Sequence, residues 1–173
     1  MVPLMPKDIA RPNVRHLLFV LPISISTALM APAAPARAAP HPVAAKEKNC
    51  LAKAIYFEAR GETERGQKGV AQVILNRVEN DSYPDTICEV VYQNQERRNA
   101  CQFSFACDGR ADNASESKAW IRALSVAEEV LDGENLVQQV RTATHYHADY
   151  VKPYWAPKMK RLSKIGRHIF YKT

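Results

Sequence analysis

The chain predicts an α+β fold, mainly helical in front with small β elements behind. Three observations carry that prediction. Apolar residues recur at helical spacing through three stretches between Lys46 and Leu131. Glycines and polar clusters punctuate those stretches. After Gly133 the pattern turns to alternation, the period of a strand with one buried face. Helices first and strands later, in a chain of 173 residues, describe one α+β domain and not two domains.

In chain order, the first helix is expected over Lys46–Arg60, stopped by Gly61. A second begins at Thr63 or Glu64 and runs to Asn80, with Val70, Val73, Ile74, Arg77 and Val78 in helical spacing. Gly66 and Gly69 weaken it intrinsically, and their small size permits a close partner. Ser82-Tyr83-Pro84 reads as an N-cap with an early helical proline, opening a short helix to about Tyr92. Gln93–Ala100 is polar and broken, and Cys101–Cys107 alternates around Phe103 and Phe105 as a hairpin or stapled loop. Asn113 with Glu116 forms a capping-box variant before a helix through Trp120, Ala123, Leu124, Ala127, Val130 and Leu131. Ala143–Ala148 is extended, Pro153–Trp155 turns a corner, and Lys164–Tyr171 alternates as a single closing strand.

The first forty residues differ in kind. Met1–His16 is basic, Leu17–Met30 is uncharged and apolar, and Ala34–Ala38 offers small residues for cleavage. That order is the pattern of a secretory signal peptide, and the apolar run is too short to span a bilayer easily. The expected division is a signal peptide over 1–38, a linker over 39–46 and a catalytic-size domain over 47–173, with no membrane insertion after cleavage. Half of the formal charge of +6 belongs to the leader. The rest gathers at the end, where Lys152, Lys158, Lys160, Arg161, Lys164, Arg167 and Lys172 follow the last acid, Asp149. A basic rim suits an anionic polymer, and export excludes nucleic acid as that polymer.

All four cysteines, Cys50, Cys88, Cys101 and Cys107, lie in the exported part. An even count in an oxidising compartment reads as two disulfides with three possible connectivities. Cys101–Cys107 would close a short loop, which leaves Cys50 for Cys88. A zinc site lacks any C-x-x-C pair, and a thiol nucleophile would need a free Cys beside a His.

One acid stands out. Glu58 continues the stripe of Leu51, Ala54 and Ile55 at helical spacing, while Lys53, Tyr56 and Arg60 take the opposite side. A carboxylate on an apolar face is costly unless hydrogen-bonded or protonated. Desolvation raises its pKa, as a general acid at neutral pH requires. A core acid paired with Arg60 or Arg77 is the structural alternative.

Around Glu58 the residues Ala-Ile-Tyr-Phe-Glu-Ala-Arg-Gly-Glu (54–62), Gly66–Val78, Tyr83–Tyr92, Cys-Gln-Phe-Ser-Phe (101–105), Thr-His-Tyr-His (144–147) and Ile165–Tyr171 resemble the bacterial cell-wall hydrolases of the spore-cortex-lytic family. The resemblance covers Cys50–Tyr171. It implies a lysozyme-like, resuscitation-promoting-factor-like catalytic domain that cleaves peptidoglycan glycan strands, with Glu58 as the catalytic acid and no cofactor or metal. Glu62 is near enough in sequence to raise the Glu58 pKa by repulsion. With no evident second carboxylate, lytic transglycosylase chemistry is implied: Glu58 acts as acid, then as base toward the muramic 6-hydroxyl. Glu62, Asn76, Tyr92, Gln102, Ser104, His145 and Tyr146 become candidate substrate contacts: Gln102 and Ser104 for sugar hydroxyls or acetamido groups, Asn76 for an amide aimed at the Glu58 helix, and Tyr92, Tyr146 and also Trp155 for sugar stacking. His145, His147 and His168 are a conceivable metal set, although the resembled family is not metal-dependent. The alternatives are a zinc- or thiol-dependent amidase or peptidase, or a peptidoglycan-binding domain without activity. The expected partner is the glycan strand; no protein partner is indicated.

Overall fold

A computed structural model describes residues 45–97 and 101–173. The expected signal peptide and most of the expected linker lie outside the described residues. Helix α1 (Ala45–Ala59) is alanine-rich, which favours helix and lets neighbours approach closely. It packs against α2 (Glu64–Val78), α3 (Ile87–Val91) and α4 (Ser117–Leu131). Surrounded on three sides, it buries more than one stripe. Tyr56, expected on the outer face, is 2% exposed. Its ring meets Phe57 and Trp120, and its hydroxyl accepts from the Glu116 backbone N–H at 3.1 Å. The reason is α4, which covers that side of α1.

Thr63 caps α2 by accepting from the Gly66 N–H at 3.3 Å. The short α3 starts later than expected. Thr86, not Ser82, is its cap, because the Thr86 hydroxyl accepts from the Glu89 N–H. Ser82 is spent on a turn in which Asn80 Oδ1 accepts its N–H. The 101–107 segment is no hairpin. Only Ser104–Cys107 is ordered as one 3₁₀ turn, closed by a Cys101–Cys107 disulfide. A second disulfide, Cys50–Cys88, ties α1 to α3. Helix α4 begins after Glu116, so Asn113 caps nothing. It buries Ala123, Val126, Ala127 and Val130, one face at helical spacing. Lys68, 5% exposed, clamps α2 to α4 by reaching Glu129 at 2.6 Å and Glu64 at 2.7 Å.

The sheet is antiparallel, with β1 (His145–Ala148), β2 (Lys160–Ile165) and β3 (His168–Lys172) in the order β1-β3-β2. The single closing strand expected over Lys164–Tyr171 is therefore a hairpin. Gly166, at φ +55°, supplies the left-handed residue of a two-residue turn, so alternation through Arg167 was accidental. Behind the sheet, Val73, Val137, Val140, Ala143, Ile165 and Phe170 form a second core against α2. Phe170 sits directly over Gly69, where an added Cβ would meet its Cζ at 2.8 Å. This close approach seats β3 on α2, and from the adjoining β1 Tyr146 reaches Glu58.

Candidate active site

Glu58 lies in the last turn of α1, half-buried, at the floor of an open cleft of about 410 Å³. Four parts of the fold make its walls: Phe57 beside Glu58 on α1, Arg77 on α2, the stapled Gln102-Phe103-Ser104 loop, and the sheet side with Tyr146 and His168. Among the described residues lining the cleft, Glu58 is the one carboxylate.

Three effects set its proton affinity. Burial dominates and raises the pKa above the ordinary carboxylate value. A hydrogen bond from the Tyr146 hydroxyl to Oε2, 3.2 Å, opposes it, and so does the charge of Arg77. Glu62 is not the cause. Its Oε2 accepts from the Arg167 N–H at 3.1 Å and packs against Gly166, fastening the α1–α2 connection to the β2–β3 turn. The net effect is a raised pKa. Tyr146 itself stays a neutral donor, because burial and the adjacent Glu58 charge push its phenol well above the usual range.

Arg77 is 2% exposed and organises the opposite wall. Nε donates to the Thr144 carbonyl at 2.8 Å, anchoring the start of β1. Its Nη atoms lie 3.0 and 3.2 Å from the Gln102 amide, whose neighbours assign its oxygen to that side. The rings of Tyr83 and Phe103 flank the guanidinium at 5.4 and 5.7 Å. One side chain thus holds α2, β1 and the stapled loop around Glu58. On the third wall, His168 is 6% exposed, and burial keeps its imidazole below the usual range against the pull of Glu62 and Asp149. Its Nδ1 has no hydrogen-bond partner among the described residues.

Of the residues proposed from sequence, Glu58, Gln102, Ser104 and Tyr146 meet in the cleft. Asn76 does not face α1; its amide donates to the Ala143 and Val140 carbonyls at 2.7 and 3.2 Å and ties α2 to the chain before β1. Tyr92 is outside the cleft and donates to Asp112 at 3.2 Å, with burial, then Asp112, pushing its pKa up to about 12. His145 sits on the far side of the sheet against Trp155, and neither lines the cleft. The three histidines do not converge: His145 and His147 contact Trp155, whereas His168 contacts Tyr146. All four cysteines are in disulfides, so no thiol serves as nucleophile. Phe57 and Phe103 were missed as cleft residues, while Arg77 was read only as a core partner of Glu58 and His168 only as a metal ligand. The available signal was Arg77 on an apolar stripe, a charge out of place in the same way as Glu58.

A carboxylic acid whose pKa burial raises, beside a fixed cation and a neutral phenol, is the kind of arrangement an acid–base catalyst uses, here in an α+β domain. The model of the Cell Wall Hydrolase family matches residues 61–171, and the chain belongs to that family. The match begins just after Glu58. A spore cortex-lytic enzyme of Bacillus cereus is 33% identical over 126 residues, 70% of this chain and 42% of that protein. One from Bacillus subtilis is 31% identical over 121 residues, 69% of this chain and 35% of the relative. The chain thus spans about a third to two-fifths of the length of the curated relatives it matches. The catalytic domain of the germination-specific lytic transglycosylase SleB from Bacillus anthracis superposes with a TM-score of 0.58 at 29% identity, over 78% of this chain and 100% of that one. The SleB catalytic domain of Bacillus cereus gives 0.56 at 28%, over 80% and 100%.

Proposed function

We propose that this domain cleaves peptidoglycan glycan strands between N-acetylmuramic acid and N-acetylglucosamine as a lytic transglycosylase, with Glu58 as its acid and then its base. The observation that carries this reading is the single carboxylate of the cleft. Two-carboxylate glycosidases place a second acid across the bond to capture or stabilise the sugar cation, or to activate water. Here the nearest alternatives are engaged elsewhere, Glu62 by the Arg167 N–H and Asp149 by Lys164 at 2.9 Å. The sugar's own hydroxyl replaces the second acid. Protonated Glu58 gives its proton to the leaving glycosidic oxygen as the C1–O bond breaks. The resulting carboxylate takes the proton of the muramic 6-hydroxyl as its oxygen bonds to C1, closing a 1,6-anhydro ring. Glu58 ends protonated, so the cycle balances without water. Tyr146 fixes Oε2 and leaves Oε1 to carry the proton. Arg77 stabilises the carboxylate formed between the two transfers.

The relatives' names support glycan cleavage, and the cleft's chemistry supports the anhydro route. Action on peptidoglycan agrees with export through the leader, with cleavage near Ala38, to the periplasm or beyond. No helix among the described residues is long and apolar enough to cross a membrane. Digestion of purified sacculi by the wild type and by Glu58→Gln tests the reading. Loss of soluble muropeptides in the variant is expected; release at the wild-type rate would refute it. Equal sacculus binding by both proteins with no product from either would make this a binding domain.

A further inference from the structure

On the other side of the sheet a groove of about 440 Å³ adjoins the catalytic cleft and shares His147 and Val151 with it. Its floor includes Met159 and Tyr171, and Lys152 and Arg161 stand on its rim. No acid lines it. Cations near the hairpin turn are neutralised: Asp149 takes Lys164 at 2.9 Å and Arg167 at 3.4 Å. No acidic side chain follows Asp149 in the sequence, and Lys152 and Arg161 form no ion pair among the described residues. The groove therefore carries two cations, Lys152 and Arg161, with no acid among its lining residues to cancel them. An anionic occupant with small apolar side chains matches both the rim and the floor.

We infer that this groove binds the stem peptide of the substrate strand, with Lys152 and Arg161 receiving its carboxylates while the glycan lies in the adjoining cleft. The inference rests on the proposed glycan-cleaving function. A stem peptide is short, rich in small side chains and acidic, and it branches from the muramic residue that the proposed reaction places beside Glu58. Continuity through His147 and Val151 gives the branch a path from the cleft to the groove.

Kinetics of the full chain on peptide-bearing glycan strands and on the same strands stripped of peptide test it. At low salt the wild type is expected to show the lower KM on peptide-bearing strands. Lys152→Glu/Arg161→Glu should raise that KM roughly five- to twentyfold, since exposed charge contacts are each worth roughly two- to fivefold. Its kcat/KM on stripped strands should stay unchanged. Raising the salt should erase the wild-type preference. Equal rates of the wild type on both substrates, or an equal loss by the variant on both, would overturn the inference. If the wild type cleaves neither, the proposed function fails instead, and calorimetry with isolated stem peptides decides this site. Binding that the double variant loses supports the groove; no binding, or binding only of an added phosphate-bearing wall polymer, overturns it.

Discussion

Replacing Arg77 by methionine is expected to damage stability and to move the pH dependence of activity in a stated direction. The side chain is 2% exposed, and its guanidinium satisfies the Thr144 carbonyl and the Gln102 amide oxygen. Methionine fills much of the volume and supplies no donor. Two acceptors left unpaired at about 1–3 kcal/mol each give a loss of roughly 2–5 kcal/mol. For a domain of this size that is roughly 10–20 °C in Tm. The second effect is electrostatic. Burial raises the Glu58 pKa, and Arg77 and Tyr146 hold it back. Removing the cation lets it rise further. The first chemical step needs protonated Glu58, so activity falls as pH rises through the folded pKa. The basic limb of kcat/KM should therefore move to higher pH in Arg77→Met. Arg77→Lys keeps the charge and loses the fork, so it should lose stability with a much smaller shift of the limb. Thermal melts and pH–rate profiles on sacculi, taken below each variant's Tm, check both. A folded Arg77→Met whose basic limb stays put or moves to lower pH would refute the electrostatic reasoning.

Glu58→Gln should melt higher than the wild type at neutral pH. A raised folded pKa means that ionised Glu58 costs stability as pH rises above the unfolded carboxylate value, and the advantage should vanish in acid where both forms are neutral. The two disulfides should separate by effect: Cys50→Ala/Cys88→Ala, opening a 38-residue separation, should cost about 4 kcal/mol, against about 2 for the 6-residue staple. Activity on sacculi should fall more in the staple variant, because that loop carries Gln102 and Ser104 into the cleft. Gly69→Ala gains about 1 kcal/mol of helix propensity and forces its Cβ against a fully buried Phe170 ring, a strain of about 1–3 kcal/mol. Net destabilisation is expected by denaturant melts, and Phe170→Leu in the same chain should remove it; independent, additive losses would show that the two do not touch.

Local signals carried much of this fold, and failures trace to contacts between distant segments. Glu58 was legible because an acid on an apolar helical stripe is anomalous without any tertiary knowledge. The ends of α1 and α4 followed from Gly61 and Gly133. Ser82 and Thr86 were both credible caps, and only the competition between an Asn80 turn and the Glu89 amide separates them. Strand alternation through Lys164–Tyr171 survived a hairpin because residues on both sides of Gly166 happen to continue it. Arg77 was read as a partner of Glu58, but its role in joining three segments was the costlier miss. Its role depends on Thr144 and Gln102, far away in sequence, which no helical period reveals. The same holds for Asn76, whose partners Val140 and Ala143 lie beyond α4.

The central claim is that one carboxylate performs both proton transfers. Mass spectrometry of the muropeptides released from sacculi tests it most directly. The account predicts muramic ends lighter by one water, the 1,6-anhydro product, and their disappearance with Glu58→Gln. Reducing, fully hydrated ends as the primary product would show that water captures C1, and would contradict it.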